Sequence, residues 1–248
     1  MTKTDAAFEI AGNARSGNVV VTCDHASNAV PRAIHGGSLG LSQTQMERHI
    51  AFDVGTAAVA RRLGERLDAP VALSRFSRLV IDPNRGEDDP TLIMQIYDGT
   101  IIPGNRHLDR ADIAWRLENC YHPYHAALAH LLASRENPIL IAVHSFTARL
   151  NGHPRRPWHI GILHGKDKRL GIPMLQALRC EPDLCVGENE PYGGHLDGDS
   201  IDRHAIRHGR ANILIELRND LIRTPERQTA WADRLAPIIR GVIAKTPL

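Results

Sequence analysis

The sequence predicts an α/β protein: a three-layer α/β/α sandwich with a mixed, largely parallel central sheet, built as a single domain over residues 1–248. Three observations carry that expectation. Short β-branched segments recur along the chain, helical patterns lie between several of them, and no internal repeat or low-complexity linker interrupts the series. With 42% apolar side chains the chain has enough to close one sizeable core.

The first segment, NVVVT over 18–22, reads as a buried strand. A helix is expected from Ser42, because Ser42 and Gln45 stand at capping-box spacing and Met46, Ile50, Val54, Ala57 and Leu63 follow, ending near Leu67. Apolar runs at 70–74 and 78–82 read as two further strands. A helical pattern over 109–135 must break or kink near Pro123, since proline lacks the donor that a helix interior requires. Strands are expected again at 139–143, 158–163 and 212–217, then a helix over 225–245 bent at Pro237.

Composition excludes several classes. Thirty basic against 28 acidic side chains leave a net charge of +2, so the overall field gives no reason to expect nucleic acid or a membrane surface as partner. Cys23, Cys120, Cys180 and Cys185 are scattered, with no paired CxxC ladder for structural zinc, which points to a reducing cytoplasm. The start MTKTDAAFEI carries acids and no apolar core, and no run approaches the ~20 residues of a membrane span. A soluble cytoplasmic protein is the expectation, with its assembly state left open.

Open α/β sheets bind ligands at the carboxyl ends of their strands, and four segments place chemistry there. CDHASN puts Asp24, His25 and Asn28 after the first strand, and ILIAVHSFT puts His144 and Ser145 after another. If both strands are parallel, the two imidazoles emerge on one edge and can share a metal, zinc or another divalent ion, with a position left for water. Glu216 stands among Ile213, Leu214, Ile215 and Leu217, where an ionised carboxylate is costly unless paired or metal-associated; it is a candidate general base, or the partner of an arginine such as Arg218. In SRLVIDPNR, Arg85 offers a planar fork for a substrate carboxylate and Asn84 a further donor. Ser145 lacks the Gly-x-Ser-x-Gly elbow of a serine nucleophile.

Taken together, CDHASNAVP, HIAFDVG, SRLVIDPNR, HPYHAAL, HSFT, NEPY, RHAIRHG and IELRNDL, in this order from about Val19 to Ile222, make the chain resemble the N-formylglutamate amidohydrolase family. HSFT, DPNR and IELRND carry a more distant likeness to zinc carboxypeptidases and aspartoacylase-like deacylases. That likeness implies a phosphorylase/hydrolase-like fold. The resemblance makes His25 and His144 zinc ligands, Glu216 the base and proton shuttle, and Asn84 and Arg85 the grip on a substrate carboxylate, with Arg78 as helper. Tyr192 and His204 also match, on what the resemblance makes a glycine-rich loop over the site. It implies a metal-dependent hydrolase of linear amide C–N bonds, acting on a small carboxylate-bearing N-acyl amino acid such as N-formylglutamate.

One position departs from the carboxypeptidase-like His-x-x-Glu motif: here it reads His25-Ala26-Ser27-Asn28, a neutral amide in place of an acid. His49 and Asp53, one helical turn apart in the expected first helix, can each supply the missing ligand, and His49 is the preferred one. Asp24 is then available to orient His25 through its other ring nitrogen. The same residues admit a different N-acyl substrate. Asn28 also admits a catalytically silent relative that binds a small anion or a protein partner.

Overall fold

The computed structural model describes residues 6–194 and 196–248. The strands are β1 (Phe8–Ala11), β2 (Val19–Cys23), β3 (Val71–Ser74), β4 (Ile96–Tyr97), β5 (Thr100–Ile101), β6 (Ile139–Phe146), β7 (Ile160–Leu163), β8 (Val186–Glu188) and β9 (Asn212–Arg218). The helices are α1 (Gln43–Met46), α2 (Thr56–Leu67), α3 (Arg110–Arg116), α4 (His122–Ala133), α5 (Gly171–Arg179), α6 (Ser200–His204) and α7 (Pro225–Lys245). Seven strands form one sheet in the order β1-β3-β2-β6-β9-β7-β8, and β4 and β5 form a separate hairpin. Every pair in the large sheet is parallel except β1–β3 and β7–β9.

Side-chain alternation along the strands makes the three layers. Val19, Val21, Ile141, Val143, Ile213 and Ile215 point to one face, against α2, α5 and α7; Val20, Ala72, Leu140, Ala142 and Leu214 point to the other, against α4 and Ile201 of α6. A third apolar cluster, around Ile50, Phe76, Leu79, Val80, Ile81 and Tyr121, lies under the long connections. No helix among the described residues is long and apolar enough to cross a membrane.

Two expected elements take another form. The run 78–82 is buried but is no strand: Val80 N–H closes a turn onto Ser77 O, while Asn105 Nδ2 donates to Leu79 O (2.7 Å) and Arg116 Nη1 to Val80 O (2.7 Å). Side chains satisfy this backbone, so its burial needs no neighbouring strand. The expected helix 42–67 is two helices. Ser42 caps α1 with the anticipated capping box, but α1 stops at Met46 and α2 starts only after Gly55, whose φ of +87° belongs to the left-handed region. A Cβ on Gly55 would lie 2.2 Å from Ile222 O, so the chain approaches β9's exit too closely for any side chain. The break expected near Pro123 is a π-helical stretch, Leu117–Tyr121, with Pro123 in the first turn of α4. Strands β1 and β8, at the two sheet edges, lie outside the sequence expectation.

Candidate active site

Strands β2, β6 and β9 are consecutive and parallel, so their carboxyl ends form one edge. His25 follows β2, His144 lies near the end of β6, and Glu216 sits opposite His144 in the β6–β9 register. The two rings meet edge to face with centroids 4.9 Å apart.

Asp53 joins them from the turn between α1 and α2. Its backbone N–H donates to His25 O (2.9 Å), which draws the turn against the end of β2. Its Oδ2 then lies 3.4 Å from His25 Nδ1 and 3.0 Å from His144 Nδ1, and it accepts the Ser145 N–H at 3.1 Å. The ligand atoms of His25, Asp53 and His144 lie within 4.8 Å of one another and all three residues are buried, a set that can hold one metal ion.

Behind each imidazole stands a carboxylate. Asp82 Oδ1 is 2.7 Å from His25 Nε2, and Asp24 Oδ2 is 3.4 Å from His144 Nε2. Asp24 is held in turn by Thr22 Oγ1, which donates to Oδ1 at 2.7 Å, and by the hydroxyl of Tyr124 on α4. Carboxylate–imidazole pairs of this kind fix the ring's orientation and leave its other nitrogen for a metal. The donor set therefore fits a divalent ion.

The charges follow from these contacts. Burial alone would raise the Asp24, Asp53 and Asp82 carboxyls; the nearby cations and hydrogen bonds outweigh it and bring all three well below the usual carboxylate range. For Asp24 and Asp53 the opposing partners are the two histidines, for Asp82 chiefly Arg78 and His25. His144, despite a burial that lowers it, is raised well above its ordinary value by Asp24 and Asp53. Glu216 behaves in the opposite way. Burial pushes it up to about 8, with the Asp53 charge adding to the rise and His144, Arg78 and Arg156 opposing it. Its Oε2 is buried without a hydrogen-bond partner among the described residues, and Arg218 is occupied elsewhere, by Asp220 and by the carbonyls of residues 156–158.

These groups open onto a cavity of about 720 Å³, which Asn84, Arg85, Arg78, Tyr97, Tyr192 and Glu216 also line. Asn84 Oδ1 accepts the Ser200 N–H at 3.2 Å, which leaves the NH2 end of the carboxamide as its donor. Arg85 is steadied by Thr91 Oγ1 (3.0 Å) and Asn84 O (2.7 Å), and its own carbonyl accepts the Tyr121 hydroxyl (2.6 Å). The Arg78 guanidinium is committed to carboxylates: Nε and Nη2 donate to Asp82 Oδ2 at 3.0 and 2.7 Å, and Nη1 is 3.8 Å from Asp53 Oδ1. Tyr192 reaches the cavity because its loop packs on β7 at Gly161, where a Cβ would sit 2.0 Å from Glu190 O.

Several expectations are corrected by this geometry. His49 is not beside the other two histidines: residues 47–55 form turns rather than a helix, and His49 Nε2 faces Asp98 at 3.4 Å. Asp53 takes the place expected of it. Asn28 donates its amide to Met46 O (2.9 Å) and does not line the cavity. Asp24 lies 3.4 Å from His144 rather than beside His25, whose partner is Asp82. His204 lies buried on α6, stacked on His125 with Nδ1 of His125 2.8 Å from its Nε2, and does not line the cavity. Asp82 and Tyr124 carry no assigned role in the sequence reading. For Asp82 the signal was present, an acid within DPNR beside the anion-gripping pair.

The sheet and this cavity define an α/β protein with a candidate metal centre. Its structure is similar to that of gene product Atu2144 from Agrobacterium tumefaciens, at 35% identity and a TM-score of 0.91, covering 98% of this chain and 97% of that one. The N-formylglutamate amidohydrolase from Ralstonia eutropha JMP134 shares the fold at 20% identity and a TM-score of 0.71, over 95% of this chain and 99% of that one. The model of the family described as N-formylglutamate amidohydrolase matches residues 17–223, and the chain belongs to that family. No curated protein matches it.

Proposed function

We propose that the protein is a metal-dependent amidohydrolase that removes a formyl or other short acyl group from the nitrogen of an amino acid, with N-formylglutamate as the leading substrate. One observation carries the reading: a single cavity joins three converging metal-ligand atoms, a buried acid unpaired among the described residues and an arginine–asparagine pair suited to a carboxylate. The family supports it. His25, His144 and Asp53 would hold a zinc or other divalent ion, which would supply Lewis acidity toward a carbonyl and a water.

The chain's own groups do the rest. Arg85 and the Asn84 amide grip the substrate carboxylate, which fixes the scissile amide beside Glu216 and lowers the entropic part of the barrier. Glu216 removes a proton from the attacking water and delivers it to the departing amine as the C–N bond breaks, leaving formate and a free amino acid. Asp82 and Asp24 hold the imidazoles in place, and Arg78 ties Asp82 to Asp53. A cytoplasmic setting accords with four free cysteines.

The test is a substrate panel. Metal-stripped and zinc-loaded protein is incubated with N-formyl-L-glutamate, N-acetyl-L-glutamate and N-formyl-L-methionine, and the released amine is quantified. Zinc-dependent release, fastest from N-formylglutamate, is expected. Protein carrying one metal per chain that cleaves none of the three would refute the proposal.

A further inference from the structure

Arg156 packs on Tyr192, one of the residues that line the cavity. It has no acidic partner within ion-pair distance among the described residues, whereas Arg78 is held by Asp82 and Asp53, and Arg203 by Glu87. Its guanidinium lies over two rings, 5.7 Å from the centroid of Phe146 and 5.1 Å from that of Tyr192. Stacking of this kind holds the fork in one plane without using its donors.

The backbone beneath is fixed from two directions. Arg156 N–H donates to Ala148 O at 2.9 Å, and the buried Arg218 gathers the carbonyls of Arg156, Pro157 and Trp158 at 3.4, 3.1 and 3.2 Å. The Arg156 side chain donates through Nη1 to Thr147 O (3.2 Å) and to the Tyr192 hydroxyl oxygen (3.3 Å). Because the Tyr192 oxygen accepts from Arg156, its own O–H remains to be donated, and Tyr192 lines the cavity. A positive group and a hydroxyl donor thus meet at Tyr192, which lines the same cavity as Asn84 and Arg85.

We propose that Arg156 and the Tyr192 hydroxyl form a second anion-binding element, which takes the side-chain carboxylate of an N-acylated acidic amino acid while Asn84 and Arg85 take its other carboxylate. The proposal rests on the amidohydrolase reading above and assigns its specificity for a dicarboxylic substrate. The Arg156 guanidinium, without an acidic partner among the described residues, is held by aromatic faces, and a substrate with two carboxylates supplies a counter-charge.

The test separates binding from turnover. Calorimetric titration of zinc-loaded protein with glutarate and with butyrate compares one carboxylate against two on nearly the same carbon chain. Wild type is expected to bind glutarate at least tenfold more tightly. In Arg156→Leu that ratio should collapse to within about threefold, in Tyr192→Phe it should fall partway, and Arg156→Lys, which keeps charge but loses the stacked fork, should lie between wild type and Arg156→Leu. A ratio unchanged in Arg156→Leu, with the variant's thermal melt matching wild type, overturns the assignment, as does an equal loss for both ligands. The selectivity of N-formyl-L-glutamate over N-formyl-L-norleucine, as kcat/KM, should shrink in parallel. Should the protein cleave neither compound while the glutarate preference still depends on Arg156, the anion element stands and the amidohydrolase reading falls. Should it cleave N-formylglutamate with selectivity untouched by Arg156→Leu, only this assignment falls.

Discussion

Glu216→Gln in metal-free protein tests the central electrostatic claim, that Glu216 is a buried acid without a hydrogen-bond partner among the described residues. Glu216 is 6% exposed, its Oε2 has no hydrogen-bond partner among the described residues, and its carboxyl sits at about 8 against an ordinary 4.5. An acid raised on folding keeps its proton in the native chain over a pH range where the unfolded chain has lost it. The native state therefore binds the extra proton between pH 4.5 and 8, and stability falls as pH rises through that window, by about 1.4 kcal/mol per pH unit. Below the window there is no loss, and above it the loss levels off at about 5 kcal/mol; at pH 7 it is about 3 kcal/mol. Glutamine has no proton to lose.

Urea unfolding of chelator-treated wild type and variant from pH 5 to 9 should thus give a stability difference that grows in favour of Glu216→Gln and flattens above pH 8. A difference constant with pH would refute the unpartnered acid, and one of opposite slope would reveal an ion pair. Zinc should shrink the slope, because a nearby cation favours the carboxylate. In zinc-loaded protein the same substitution should keep the fold and lower turnover by about 100-fold or more.

Tyr124→Phe removes the hydroxyl that holds Asp24 behind His144; competition with a chelator should show metal affinity lowered by about tenfold, and an unaltered affinity would mean that Thr22 alone suffices. Gly55→Ala places a methyl 2.2 Å from Ile222 O at a φ of +87°, so the chain should lose about 2–4 kcal/mol in denaturant titration; wild-type stability would contradict the close approach. Arg85→Ala should raise KM for N-formyl-L-glutamate at least tenfold with a smaller change in kcat, and an unchanged KM would remove Arg85 from the carboxylate grip.

What the sequence revealed of the site depended on strand periodicity. His25, His144 and Glu216 each end a run of apolar residues, and neighbouring parallel strands then bring such ends together. The third ligand followed a different logic. Met46, Ile50, Val54 and Ala57 keep helical spacing across a segment that does not form a helix, since Ile50 and Ala51 are buried in the cluster under the loops and Gly55 must turn against Ile222. Extrapolating the helix put His49 and Asp53 on one face; the turn separates them. Residues 78–82 misled for a related reason, since the groups that satisfy that backbone, Asn105 and Arg116, come from far along the chain and leave no local trace. Edge strands β1 and β8, of four and three residues, carry too few alternations to register.

The pairing of acids with imidazoles was equally beyond local pattern, and it is what divides labour in the cavity. Four acids, Asp24, Asp53, Asp82 and Glu216, lie around two histidines, and chain order gives no ground for treating them differently. Contacts do. Asp82 meets His25 and Arg78, Asp24 meets His144, Thr22 and Tyr124, and Asp53 meets both imidazoles and the Ser145 amide, so all three stay ionised as fixed negative charge around the metal-ligand atoms. Glu216 Oε2 has no hydrogen-bond partner among the described residues, and burial, with the negative charge of Asp53, resists its ionisation. An acid raised by burial and free of structural hydrogen bonds among the described residues can accept and return a proton without breaking one, which the other three cannot do.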